Sequence, residues 1–252
     1  MITFVGAGPG DPELLTIRGK REIDNADVII WAGSLVNPEV LRDARPTAEI
    51  HNSAMMNLDE VIDVMKNAVS KGKKVVRVHT GDPSIYGAIR EQIDRLEELG
   101  IDCEVIPGVS SFLAVASVLK KEYTLPSKSQ TVIITRMEGR TPVPPKEKLI
   151  DLAKHNTTMA IFLSVGFMDE LAKTLKEAGY RGNTPVAVVY KATWPDQKIV
   201  IGTVDDIAGK VKEAKIERTA LTVVGDFLGD EYELSKLYDK NFTTGFRKGA
   251  KE

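Results

Sequence analysis

Two consecutive α/β domains are predicted by three features of the sequence. Short apolar strands alternate with helical segments from residue 2 onward, and that rhythm predicts a parallel sheet. Pro126-Ser127-Lys128-Ser129 breaks the rhythm, and the alternation restarts beyond it, so the domains read as 1–125 and 126–252. A length of 252 residues allows one large domain or two of ordinary size, and 42% hydrophobic with 28% charged residues suits a globular protein with ample core.

Ile2-Thr3-Phe4-Val5 is a short strand that enters Gly6-Ala7-Gly8-Pro9-Gly10-Asp11-Pro12 and a helix near 13–24. Ala26–Trp31 is a second strand, followed by a helix at 38–43, a strand at 48–50 and a polar loop His51–Leu58. Val61, Ile62, Met65 and Val69 recur at helical spacing across 59–71. Val75–His79 is the central strand; it stops at Gly81-Asp82-Pro83, with a helix expected over 84–99 and closed by Gly100. Cys103–Ile106 is a strand that enters Pro107-Gly108-Val109-Ser110-Ser111 and an apolar helix to residue 120. The second half offers strands at 131–135, 158–164, 185–190, 198–203 and 220–225, with helices at 146–154, 167–178 and 204–215. Glu231–Glu252 reads as a short helix and a polar tail.

A net charge of −2 argues against general nucleic-acid binding, and Lys71–Lys74 and Arg247–Lys251 read as solvated turn and tail. One cysteine forms no disulfide framework, which fits a reducing cytoplasm. No signal peptide is recognisable, and no apolar run approaches the roughly 20 residues of a membrane helix. His51, His79, His155 and Cys103 lack metal-ligand spacing, so no metal site is expected.

The glycine loop invites a dinucleotide reading, which fails residue by residue. Asp11 stands in the third glycine slot, Pro9 stands where N–H groups should face a pyrophosphate, and no acidic residue ends the second strand. No Gly-Lys-Ser/Thr follows either. Carboxylates at such a loop repel phosphate. Three strand ends nevertheless share one pattern: Gly8-Pro9-Gly10-Asp11, Gly81-Asp82-Pro83 and Pro107–Ser111. In open α/β sheets ligands lie outside the carboxyl ends of the strands. Three backbone-rich corners there point to a small uncharged or cationic ligand held by main chain, and S-adenosylmethionine suits that description. A tight turn, with Asp82 capping the next helix, is the structural alternative for the second corner.

These residues resemble the tetrapyrrole methylases, a family of S-adenosylmethionine-dependent enzymes. Gly6–Thr16 looks like the family's first signature, Arg77–Gly87 like its second, and Pro107–Ser111 like the turn that follows. Ala160–Ser164, Pro185–Thr193 and Thr219–Gly225 are similar to strands of its second domain. Ser34–Val36, Met55–Leu58 and Thr135–Pro144 resemble the branch that methylates C11 of precorrin-4, or of its cobalt form, in vitamin B12 synthesis. The resemblance implies a class III methyltransferase fold. Its features are a parallel sheet in the first domain, a mixed sheet in the second, an active site in the cleft between them, and a homodimer. It also implies donor contacts from Pro9, Gly81, Asp82, Ile85, Ser110 and Ser111 of the first domain and Leu163, Ala192 and Ala220 of the second. The Asp and Lys that related uroporphyrinogen methyltransferases carry after the second and third strands are missing, so no general base carries over.

Methyl transfer to an electron-rich carbon rests on positioning, worth up to roughly 7–11 kcal/mol in intramolecular models. The expected partner is a tetrapyrrole bearing many carboxylates, which arginines grip in bidentate fashion. Arg136 and Arg140, on the Pro-bounded loop after residue 135, are the candidate substrate residues, and solvated loop charges are the alternative. Asp11 and His79 are the candidate catalytic side chains; stabilising a helix dipole and hydrogen-bonding the turn are the respective alternatives. Cys103, Trp31 and Trp194 read as packing residues, although Trp194 could border the macrocycle. Other functions left open are a sibling methylase acting at another corrin carbon or on a diphthamide precursor, a nucleotide-binding oxidoreductase, and a non-catalytic sensor of an adenosine ligand.

Overall fold

The computed structural model describes residues 1–250. The chain forms two compact units, Met1–Val118 with Lys191–Gln197, and Leu119–Tyr190 with Lys198 onward.

The first unit is built on β1 (Ile2–Gly6), α1 (Ile17–Asp24), β2 (Val28–Trp31), β3 (Glu49–Asn52), α2 (Leu58–Ser70), β4 (Val75–His79), α3 (Arg90–Glu98), β5 (Cys103–Ile106) and α4 (Ser111–Leu119). Its five strands are parallel, as the β–α alternation predicts, in the order β3-β2-β4-β1-β5. The β1–β2 connection runs through α1 on one face of the sheet and the β4–β5 connection through α3 on the other, so these neighbouring strands send their exit loops to opposite faces. In an open α/β sheet a crevice lies where that happens, here at the carboxyl ends of β1 and β4. Ile23 of α1 covers one face, against Val5, Ile29, Val76 and Val78. Ile62 and Met65 of α2 and Leu96 of α3 cover the other, against Ile2, Phe4, Ile30 and Val75. Helix α2 starts at a capping box. The Asn57 side chain accepts the Glu60 N–H at 3.0 Å, and the Glu60 carboxylate accepts the Asn57 N–H at 2.7 Å.

The helix expected over 84–99 is present only from Arg90. Tyr86 and Ala88 adopt left-handed conformations (φ 54° and 49°), and a Cβ on Gly87 would lie 2.1 Å from the Pro83 carbonyl oxygen, so 84–89 is a tight non-helical turn. The helix expected at 38–43 and the start of that at 13–24 are single 3-10 turns, Pro38–Leu41 and Pro12–Leu14. Each is capped by the side chain just before its proline, Asn37 and Asp11.

The second unit carries β6 (Val132–Arg136), α5 (Leu149–Ala153), β7 (Thr158–Phe162), α6 (Met168–Glu177), β8 (Pro185–Tyr190), β9 (Lys198–Thr203), α7 (Ile207–Glu213) and β10 (Ala220–Val224). Its sheet is mixed, in the order β6-β7-β10-β8-β9, with β6 and β7 parallel and the other pairs antiparallel. Leu171 and Leu175 of α6 and Ile207 and Val211 of α7 pack on Met159, Ile161, Val186 and Val188. Residues 119–125, assigned to the first half by the position of the Pro-Ser break, pack with this second unit. Tyr123 sets its ring edge-on to Phe227 at 5.0 Å, and its carbonyl accepts the Thr158 hydroxyl at 3.0 Å. The β8–β9 connection Lys191–Gln197, though flanked by second-unit strands, belongs to the first unit. Among the described residues, no helix is long and apolar enough to cross a membrane.

Met65 is fully buried beneath the first sheet, whereas Asn57 acts only at a helix end. In urea titrations, Met65→Ala is expected to lower stability by about 2–5 kcal/mol. Asn57→Ala is expected to lower it by about 1 kcal/mol. The reverse ranking would contradict this core.

Candidate functional site

The crevice at β1 and β4 is closed by backbone. Ala7 N–H donates to the His79 carbonyl at 2.7 Å, and Gly8 and Gly81 exchange N–H···O bonds of 3.2 and 2.8 Å, so the glycine loop runs on as an extra rung beside the end of β4. Gly81 turns there in the left-handed region (φ 59°). The third corner comes equally close. A Cβ on Gly108 would lie 2.2 Å from the Gly81 carbonyl oxygen and 2.8 Å from the Gly6 Cα, and a Cβ on Gly6 would lie 2.6 Å from Gly108 N. The three corners expected from the sequence therefore converge at one point of the first unit.

Asp82 locks this point. Its carboxylate accepts the Gly108 N–H at 2.9 Å, the Ser84 N–H at 2.8 Å and the Ser84 hydroxyl at 2.5 Å. Burial works against its ionisation, but the Ser84 and Gly108 hydrogen bonds outweigh burial and hold its pKa below the usual carboxylate value. Ile85 donates its N–H to the Asp82 carbonyl at 3.2 Å. Ser110 is buried, and its carbonyl accepts from Leu113 and Ala114 to start α4; Ser111 is the first residue of that helix. Pro9 is buried in the glycine loop. Asp11 Oδ1 accepts the Glu13 N–H at 2.9 Å, so this candidate catalytic carboxylate serves as the cap of the Pro12–Leu14 turn.

A strap that sequence reasoning missed holds the glycine loop from outside. Trp194 Nε1 donates to the Pro9 carbonyl at 3.0 Å, and the Thr193 hydroxyl accepts the Asp11 N–H at 3.0 Å. The indole fills the space where a Cβ on Gly10 would sit. Within the strap, Gln197 Oε1 accepts the Thr193 N–H at 2.7 Å. Lys191 pairs with Asp196 at 2.7 Å and stands 4.7 Å above the indole. Lys191 and Thr193 take left-handed conformations (φ 46° and 70°) around Ala192, which therefore lies with the first unit and not with the second half. The sequence signal was faint: a Lys-Ala-Thr-Trp-Pro run too polar to extend β8.

In the second unit β10 runs antiparallel to β7, so Ala220 at the start of β10 and Leu163 just after β7 lie at the same end of the sheet, and Ala220 pairs with Tyr190. Leu163 is exposed and left-handed (φ 53°). Arg136 ends β6 at the same end of the sheet, paired with Phe162. The structure thus gathers Leu163, Ala220 and Arg136 at one sheet end. The Arg136 guanidinium donates to the carbonyls of Met137, Thr141 and Pro142 at 3.2, 3.1 and 2.6 Å, and so it shapes its own loop. Arg140, on that loop, is exposed.

His79 and Arg77 project from β4 to the α2/α3 face, and both are buried. His79 stacks on Phe4 with ring centroids 5.9 Å apart, and its Nε2 is buried without a hydrogen-bond partner. Burial, reinforced by the adjacent Arg77 charge, pushes the imidazole pKa down to about 3, so His79 is neutral at pH 7.

The donor set at the crevice suits a phosphate-free cation. The loops Gly6–Asp11, Thr80–Ser84 and Pro107–Ser111 contain no lysine or arginine, and they carry backbone groups, serine hydroxyls and the carboxylates of Asp11 and Asp82. A pyrophosphate would find no counter-charge there, whereas an adenosine carrying an amino acid and a sulfonium would find compatible groups.

Gly108→Ala forces a Cβ against backbone and is expected to destabilise by about 1–3 kcal/mol. Gly209→Ala, where nothing lies within 4 Å, is expected to stabilise by about 0.5–1 kcal/mol; equal effects would refute the contact. For His79, the unfolded chain protonates near pH 6.5 while the folded one stays neutral down to about 3. Between those values the unfolded state binds the extra proton, so stability falls on acidification by up to about 1.4 kcal/mol per pH unit. Stability measured against pH should lose this slope in His79→Gln, and an unchanged profile would contradict a neutral buried imidazole.

The model of the Tetrapyrrole (Corrin/Porphyrin) Methylases matches residues 1–208. A cobalt-precorrin-4 C(11)-methyltransferase of Methanocaldococcus jannaschii is 63% identical over 252 residues, covering 100% of this chain and 97% of the relative. The X-ray structure of the cobalt precorrin-4 methyltransferase CbiF superposes with a TM-score of 0.89 at 46% identity, over 91% of this chain and 96% of that one. A uroporphyrin-III C-methyltransferase from Thermus thermophilus, complexed with S-adenosylhomocysteine, gives a TM-score of 0.74 at 27% identity, over 90% and 93% of the two chains. The β1–β4 crevice with its three backbone corners, and the mixed sheet that follows it, thus sit in a chain that belongs to the tetrapyrrole methylase family.

Proposed function

We propose that this chain transfers a methyl group from S-adenosylmethionine to C11 of precorrin-4 or cobalt-precorrin-4, a step in cobalamin synthesis. The observation that carries this reading is the 63% identity, unbroken over the whole chain, with a relative named for that reaction. A crevice built of backbone and free of phosphate-binding cations supports it from the side of geometry.

The donor, when bound, supplies an electrophilic methyl on sulfur, and the acceptor carbon of the macrocycle supplies the electron pair. Pro9, Gly81, Asp82, Ile85, Ser110 and Ser111 of the first unit would hold it, with Ala192 of the strap and Leu163 and Ala220 of the second sheet. Asp82 contributes by fixing the loops, because its carboxylate is occupied by Ser84 and Gly108. Rigidity of this kind is what near-attack positioning requires. The loop that Arg136 ties together presents Arg140 to solvent, where it could meet a substrate carboxylate.

Incubation with methyl-labelled donor and precorrin-4, with and without cobalt, tests the reading. The label should appear at C11 by NMR, and faster turnover of one acceptor identifies the metal state preferred. Label at another ring carbon, or none with either acceptor, would overturn it. Asp82→Ala should weaken S-adenosylhomocysteine binding in calorimetry by at least about tenfold, the scale of a lost charge-assisted hydrogen bond.

A further inference from the structure

Arg77 is a cation placed where a folded protein rarely leaves one alone. It stands in the middle of β4, between Ile30 on β2 and Phe4 on β1, and is 7% exposed. Its contacts are neutral acceptors. Nε donates to Gln92 Oε1 at 3.1 Å, and Nη1 donates to the Ile30 carbonyl at 3.3 Å. No carboxylate among the described residues pairs with it, although lysines and arginines elsewhere in the described chain make seventeen ion pairs. Burial lowers its pKa to about 10, still far above neutrality, so the charge persists. A buried charge without a counter-ion is costly, and proteins ordinarily pair it.

Two residues further along the same strand face lies His79, 5% exposed, with Nε2 buried and unpartnered. A cation without an anion and a ring nitrogen without a partner therefore share one face of the sheet, just beneath the β1–β4 crevice. Gln92 orients the guanidinium and also donates Nε2–H to the Ala88 carbonyl at 2.9 Å, so the turn after Asp82 is fastened to the same group. Nothing in the packing of a purely structural core calls for this pair: Val75, Phe4 and Ile30 around it are apolar.

We propose that Arg77 and His79 form a buried anion subsite below the β1–β4 crevice that takes one carboxylate of the acceptor substrate. The inference rests on the proposed reading of the acceptor as a polycarboxylate macrocycle. The carboxylate accepts from the guanidinium and from His79 Nε2–H, and thereby neutralises Arg77 and satisfies the orphaned nitrogen together. Gln92 holds the guanidinium in place for it. The subsite fixes the macrocycle's rotation relative to the donor corner, and with it the ring carbon that is presented.

The chain has three histidines, so the ring signals of His79 are assignable in labelled protein by comparison with His79→Gln. At constant ionic strength, sodium propionate should shift the His79 ring signals saturably. Propionamide should not, and the propionate shift should vanish in Arg77→Leu. Absence of a saturable shift in the wild type, or its persistence in Arg77→Leu, overturns the subsite. In turnover assays, Arg77→Leu should raise the acceptor KM about tenfold to a hundredfold, the scale of a charged hydrogen bond. Its S-adenosylhomocysteine affinity should stay within twofold, while kcat falls or label appears at a second ring carbon, and Arg77→Lys should recover part of the loss. Equal losses of donor and acceptor binding would mean a structural role and overturn the proposal. A wild-type enzyme that shows the propionate shift but methylates neither form of precorrin-4 would overturn the functional reading and leave the anion subsite standing.

Discussion

Gly6, Gly81 and Gly108 meet backbone to backbone, at separations that a single methyl group at Gly6 or Gly108 would break. The contact welds the exits of β1, β4 and β5 into one corner, and the adjacent loops depend on it. Gly8 can pair with Gly81 because both strand ends have turned toward each other, and Asp82 can reach the Gly108 N–H because the third loop is in contact. The carboxylate then closes the arrangement with three hydrogen bonds, two of them to backbone N–H groups. These close contacts and the three Asp82 hydrogen bonds offset the large conformational entropy that glycine backbone loses on ordering.

Charge divides this unit into two environments. Around the corner, side chains are small or acidic, and the loops contain no cation that could receive phosphate. Immediately below, on the α2/α3 face, Arg77 remains charged in an apolar layer and His79 is forced neutral by burial and by that neighbour. One side of the strand end thus presents backbone groups and carboxylates, and the other holds a buried cation.

The strap Lys191–Gln197 runs against local preference. Thr193 is β-branched and left-handed, and Lys191 also sits at positive φ. Such conformations cost of order 1–3 kcal/mol each and persist where surrounding contacts over-determine them. Here those contacts are Trp194 on Pro9, Thr193 on Asp11 and Gln197 on Thr193.

Strand and helix periodicity, the break at 126–129 and the three Gly/Pro corners were legible in the residues, because each is a local backbone preference or a repeat of two or 3.6. The resemblance to tetrapyrrole methylases was carried by those same corners, since they hold the motif. Periodicity did not foresee three outcomes. The 84–89 turn is non-helical with Tyr86 and Ala88 left-handed, residues 119–125 pack on the second core through Tyr123 and Phe227, and Arg136 spends its guanidinium on its own loop. By itself, then, the sequence determined the two alternating halves and the absence of a phosphate-binding loop, since these follow from composition and spacing along the chain. Only the tertiary structure decided that the three corners touch, that a strap from between β8 and β9 grips the first of them, and that Arg77 lies buried with no counter-ion among the described residues, because burial and pairing are set by residues far apart in sequence.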